Sequence, residues 1–156
     1  MTRIWVDADS CPVKVEVYRA ARRRGLPVTL VAARPFSSPG WVALEVPARP
    51  GRPDAADDHI VAGVAVGDVV VTDDRLLARR CLLRGGRPLT TRGRLVEGGA
   101  HVRARPAGGP PPFRRRDRVR FRRALAFLLD RPTPPAARAL QALETTTRFR
   151  PPFFAS

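Results

Sequence analysis

Apolar residues in this chain fall into short unbroken runs, separated by stretches with a helical period. Ile4-Trp5-Val6, Val28 to Ala33 and Val69-Val70-Val71-Thr72 are too short for helices and do not alternate, so they read as strands buried on both faces. Val13, Val17, Ala20 and Ala21 repeat on one face of a helix that Pro12 can open and Arg22-Arg23-Arg24-Gly25 can close. Trp41 to Val46 predicts a short strand. Asp54 to Val64 predicts a helix with Ile60, Val61 and Val64 inward. Gly67-Asp68 is a turn. Leu76, Leu77, Cys81 and Leu83 belong to a further helix that stops near Gly85-Gly86, and Pro88-Leu89 suits a short last strand. The order βαβ(β)αβαβ defines an α/β fold: a mostly parallel sheet flanked by helices on both faces.

Beyond Gly93 the pattern weakens. Gly98-Gly99 and Ala107 to Pro112 are loop-like, and Asp117 to Leu129 then makes a C-terminal helix with Phe121, Leu125 and Leu128 inward and arginines outward. The expected organisation is one α/β domain over residues 1–131 and a Pro-rich, loosely ordered tail over 132–156. No internal repeat is visible.

Composition narrows the choices. The chain has 156 residues, long enough for one full core, and no apolar run approaches a membrane span. Met1-Thr2-Arg3 leads directly into a core strand, so a cytoplasmic protein is expected. Cys11 and Cys81 are not arranged as a zinc site. Cys81 lies in an apolar helical pattern and reads as core. The thiol of Cys11 is drawn toward ionisation by a helix start and away from it by neighbouring carboxylates.

The net charge of +15 divides into +4 over residues 1–90 and +11 over 91–156. A basic face suits a phosphate polymer. Lys14 is the single lysine and asparagine is absent, a usage typical of GC-rich codons, which accounts for part of the arginine excess.

The candidate chemistry is acidic. Asp7 and Asp9 follow the first strand, Asp54, Asp57 and Asp58 open the second helix, and Asp73 and Asp74 follow the Val69–Thr72 strand. In a parallel sheet these places meet along one edge, where ligands bind. Unpaired buried charge costs several kcal/mol, so converging carboxylates need a cation. Mg²⁺ or Mn²⁺ suits oxygen ligands and can activate water against a phosphodiester. Asp54 and Asp74 also suit helix caps, and Asp68 a turn. Thr72 can support a ligand or fill the strand end. His59 reads as a partly exposed helical residue.

The block Trp5-Val6-Asp7-Ala8-Asp9-Ser10-Cys11-Pro12 resembles the opening of the bacterial YaiI/YqxD proteins, which have a PIN-like fold. The resemblance continues through Asp54-Ala55-Ala56-Asp57-Asp58-His59-Ile60-Val61 and Gly67 to Ala78. It returns at Thr91-Arg92-Gly93, Gly108-Gly109-Pro110, Phe113 and Arg116-Asp117-Arg118. It implies a cytosolic metal-dependent nuclease acting on RNA. Asp7, Asp9, Asp57 and Asp74 would hold Mg²⁺ or Mn²⁺, with Thr72 nearby and Arg92, Arg116 and Arg118 on substrate phosphates. The chain departs from the family pattern between Gly93 and Gly108, where it is shorter and has Val102-Arg103-Ala104-Arg105-Pro106 in place of a further Arg-Asp pair. Thr90 or Thr91 replaces an asparagine, and His59 an acidic or aromatic residue.

Two other functions remain open from sequence. One is an RNA-binding protein without catalysis, with the Arg114–Arg123 cluster tracking a backbone. Only Phe113 and Phe121 lie near that cluster, which limits base stacking. The other is an aspartate-nucleophile phosphatase of the haloacid-dehalogenase type, which Asp7-x-Asp9 suggests. That chemistry needs a downstream lysine, and Lys14 lies only one helical turn beyond the motif. Oligomeric state is not legible.

Overall fold

Trp5 shows how one strand serves two layers. Its neighbours Ile4 and Val6 face one side of a central sheet and the indole faces the other, and all three are buried. The structure is a computed structural model that describes residues 1–47, 54–98 and 107–131. Expectations for the departure at 102–106 and the tail at 132–156 lie outside the described residues.

The elements are β1 (Ile4–Asp7), α1 (Lys14–Arg24), β2 (Val28–Val31), β3 (Ala43–Glu45), α2 (Ala55–Gly63), β4 (Val69–Val71), α3 (Arg75–Leu83), β5 (Arg87–Leu89) and α4 (Arg115–Leu129). The five strands form one parallel sheet in the order β3-β2-β1-β4-β5. This is the expected α/β architecture, and it is consistent with a PIN-like fold. Helices α1 and α4 cover one face and α2 and α3 the other.

Each face has its own core. On the first, Val13 just before α1, Val17 and Ala21 of α1, and Phe121, Leu125 and Leu128 of α4 meet Ile4, Val6, Leu30, Val69 and Val71. On the second, Ile60, Leu77 and Cys81 meet Trp5, Val31 and Val70. Burying a large apolar side chain contributes about 1.5–3 kcal/mol, so these layers dominate the stability. Gly63, the last residue of α2, lets the indole of Trp5 approach: a Cβ there would stand 2.3 Å from the ring.

Local signals set the helix ends. Gly25 takes a left-handed conformation (φ 63°) and its N–H caps the arginine-rich end of α1. Pro12 precedes α1 by two residues rather than opening it. In α3 the inward stripe is Leu77, Ala78 and Cys81, while Leu76 and Leu83 of the same helix are 75% and 83% exposed.

Asp68 is more than a turn residue. It is buried, and its carboxylate accepts hydrogen bonds from Arg3 N, Trp5 Nε1 and Ala65 N, each at 3.0 Å. It therefore joins the amino ends of β1 and β4.

Candidate functional site

The strand order reverses between β1 and β4. The chain leaves β1 through α1 on one face and β4 through α3 on the other, which opens a crevice beyond the carboxyl ends of these two strands. Asp7 is the last residue of β1, and Thr72 directly follows β4. The Thr72 hydroxyl donates to Asp7 Oδ2 and accepts from Asp74 N, both at 3.0 Å. One buried threonine thus bridges the two strand ends.

The surrounding aspartates are fixed differently. Asp74 caps α3: its Oδ1 accepts from Leu76 N at 2.9 Å and Leu77 N at 3.1 Å. Both oxygens of Asp9 lie 3.0 Å from Ala33 N, tying the loop after β1 to the end of β2. Asp73 turns toward the segment after β5, accepting from Thr91 N at 2.9 Å and from Thr91 Oγ1 at 2.6 Å. Asp57 lies in the first turn of α2. Asp54 occupies the N-cap position of that helix, but its side chain makes no capping bond. Asp58 forms an ion pair with Arg80 at 2.8 Å.

Electrostatics brings three of these segments together. Burial raises the pKa of Asp7 against the lowering effect of the Thr72 hydrogen bond, and the charges of Asp9, Asp74 and Asp73 raise it further. Burial is also the largest influence on Asp57, followed by Asp74, Asp7 and Asp54. Together they push it up to about 6, with Arg80 opposing. Carboxylates from β1, α2 and the start of α3 therefore feel one another in one crevice.

Hard cations prefer carboxylate and hydroxyl oxygens, so the donor chemistry fits Mg²⁺ or Mn²⁺. The positions are looser than the chemistry. Among the described residues, no group of three His, Cys, Asp or Glu side chains could hold a metal ion as arranged. Binding one would require the side chains to draw together.

The arginines expected on phosphates divide into two kinds. Arg92 Nη1 lies 3.2 Å from buried Asp117, and Nη2 donates to the carbonyl of Pro111. Arg118 Nη1 donates to Glu16 Oε1 at 2.8 Å and to Pro12 O at 3.0 Å. Both guanidinium groups lie over Phe113, at 5.6 and 5.3 Å from its centroid. Arg92 and Arg118 thus join segments of the protein itself. Arg116 is exposed on α4, where Arg115, Arg116, Val119, Arg120 and Arg123 line an open groove.

Sequence reasoning passed over Glu16 and gave Asp73 and Asp117 no partner of their own. For Asp117 a local signal existed: it stands three residues after Arg114 and accepts from Arg114 N at 2.8 Å, half of a capping box. Glu16 and Asp73 carried none, because their partners lie far away in the chain.

Other candidates have local roles. Burial pushes the Cys11 thiol up to about 11, so it stays protonated at neutral pH. His59 is half-exposed and bonded to Glu45. Lys14 Nζ lies over the ring of Phe36, 4.4 Å from its centroid, which adds nothing to the phosphatase reading. Among the described residues no helix is long and apolar enough to cross a membrane.

Fold and crevice together define a class: a three-layer α/β protein with an acidic cleft at the switch point of a parallel sheet. Comparison with known proteins narrows it. Residues 5–100 match the family model described as "Uncharacterized BCR, YaiI/YqxD family". A UPF0178 protein of Xanthomonas campestris pv. campestris (strain 8004) is 42% identical over 137 residues, covering 78% of this chain and 86% of the relative. One from Rhodopseudomonas palustris (strain HaA2) is 40% identical over 154 residues, covering 86% and 94%. One from Paramagnetospirillum magneticum is 37% identical over 139 residues, covering 80% and 92%. No solved structure gives a significant match. The chain belongs to the YaiI/YqxD family.

Proposed function

We propose that this protein is a metal-dependent phosphodiesterase that acts on RNA in the cytoplasm. The observation that carries the reading is the Thr72 bridge at the switch point. It holds Asp7 at the end of β1 against the backbone of Asp74, within electrostatic reach of Asp57. A fold gains little from such crowding, since like charges oppose one another there. A bound Mg²⁺ or Mn²⁺ would supply Lewis acidity and lower the pKa of water for attack on a phosphodiester.

The protein's own residues supply position. Thr72 fixes one oxygen of Asp7 by donating to it. Asp74 keeps Oδ1 on the α3 cap, which orients the rest of the carboxylate. Asp9 is held by Ala33 N at the rim. Asp57 can approach from the first turn of α2.

Purified protein should cleave single-stranded RNA with Mn²⁺, and Asp7→Asn should lower the rate by at least about 100-fold, the scale of losing a group that acts at the reacting centre. Cleavage unchanged by Asp7→Asn would show a contaminant and end the proposal. A second reading, nucleic-acid binding without turnover, draws on the lack of a ready three-ligand group among the described residues. Strongly salt-dependent RNA binding with no cleavage in any divalent metal would establish it instead.

A further inference from the structure

We infer that the outer face of α4 is a track for the backbone of a single nucleic-acid strand, and that the track leads to the acidic crevice. This rests on the phosphodiesterase reading only for where the strand goes, not for the binding itself. Arg115, Arg116, Arg120 and Arg123 share one groove with Val119 between them. Arg116, Arg120 and Arg123 follow one another at helical steps of four and three, and Arg115 begins the same stripe, about 12 Å long. The ion pairs among the described residues engage Arg24, Arg80, Arg92 and Arg118 and none of these four. Four guanidinium groups on a single stripe need anionic partners, and arginine matches phosphate through paired N–H donors.

A phosphate strand fits better than a bilayer. Phe121, Leu125 and Leu128, the apolar stripe of α4, are already buried against the sheet, so this stripe is not free to insert into lipid, and Phe127 is the single large apolar side chain the helix exposes. The described residues that line the groove include no aromatic side chain, which favours reading of the backbone rather than the bases.

The direction of the track follows from the contact behind it. Gly93 lies against the backbone of α4: a Cβ there would stand 2.6 Å from the Arg120 carbonyl carbon, and its φ is 80°. Two residues earlier, Thr91 is bonded to Asp73, which adjoins Asp74 at the crevice. The groove and the crevice are thus joined through one short loop. Asp117, Arg92, Arg118 and Glu16 lock the start of α4 in this orientation.

Fluorescence anisotropy tests the track, using short labelled oligouridylate and oligothymidylate in chelator so that no cleavage occurs. Both should bind. Arg116→Ala/Arg120→Ala should weaken binding about tenfold at low salt and flatten the salt dependence of log K by roughly 1.4, about 0.7 per lost phosphate contact. The control Arg22→Ala/Arg23→Ala removes the same charge from exposed positions on α1 and should change neither quantity. An equal loss in the control, no loss in the groove variant, a preference above tenfold for either sugar, or stronger capture by anionic lipid vesicles would overturn the proposal. Groove-dependent binding without cleavage in any metal would leave the track standing and remove the phosphodiesterase. Cleavage that ignores the groove variant while binding also ignores it would remove the track alone.

Discussion

The amino and carboxyl ends of the β1–β4 pair treat negative charge in opposite ways. At the amino end, Asp68 is buried and receives three N–H donors from three separate residues. At the carboxyl end, Asp7 has one bond from Thr72 among the described residues, and the charges acting on it there are other carboxylates. Charge matched by donors joins strands. Charge facing like charge strains the fold and leaves capacity for an outside cation. The two ends therefore separate a structural aspartate from candidate functional ones without reference to activity.

Substitution at the amino end should have the largest effect. Asp68→Ala removes the acceptor for Arg3 N, Trp5 Nε1 and Ala65 N, and should destabilise the protein by about 3–5 kcal/mol, the scale of breaking a buried polar network. Urea unfolding measures this, and Mg²⁺ should not restore it. A loss below about 1 kcal/mol would dissolve the distinction between the two ends.

Metal should act only at the carboxyl end. Mn²⁺ at a hundredfold excess over its Kd should stabilise the wild type by about 2.7 kcal/mol. Asp7→Asn/Asp9→Asn should abolish the gain. Thermal shifts that are equal in both proteins would place the ion elsewhere.

The smallest expected effect has the more telling sign. Asp57 and Asp7 are raised above the ordinary aspartate value of 3.8, Asp57 to about 6. The folded protein thus holds these protons more tightly than the unfolded chain does. The contribution of Asp57 to stability is fully present below about pH 4 and is lost as pH rises through about 6. Asp57→Asn should therefore stabilise the metal-free protein at pH 7, by about 1 kcal/mol once solvent screening of this partly exposed group is included. The same substitution should have little effect at pH 4. Destabilisation at pH 7 would mean that Asp57 has a structural partner.

Much of the fold was legible because its signals are local. Ile4-Trp5-Val6 and Val69-Val70-Val71 have the unbroken apolar character that a strand covered on both faces requires. Their alternation with helical periods implied a parallel sheet. The carboxylates at the strand ends were legible for the same reason: parallel topology brings such ends together. The orientation of α3 was less so. Leu76, Leu77 and Leu83 are equally apolar, and only packing against the sheet buries Leu77 and leaves the other two in water.

The sequence by itself determined the α/β order and the grouping of Asp7, Asp57 and Asp74 at one edge, because strand periodicity and chain direction are short-range properties. The tertiary structure decided which charges are occupied. Sequence makes Arg92, Arg116 and Arg118 look alike, yet Arg92 meets Asp117, Arg118 meets Glu16 and Arg116 faces the groove. Asp68, similarly, becomes a strand tie only when Trp5, 63 residues away, reaches it. A charged group's role depends on its nearest partner in space, and for these residues that partner comes from a distant part of the chain.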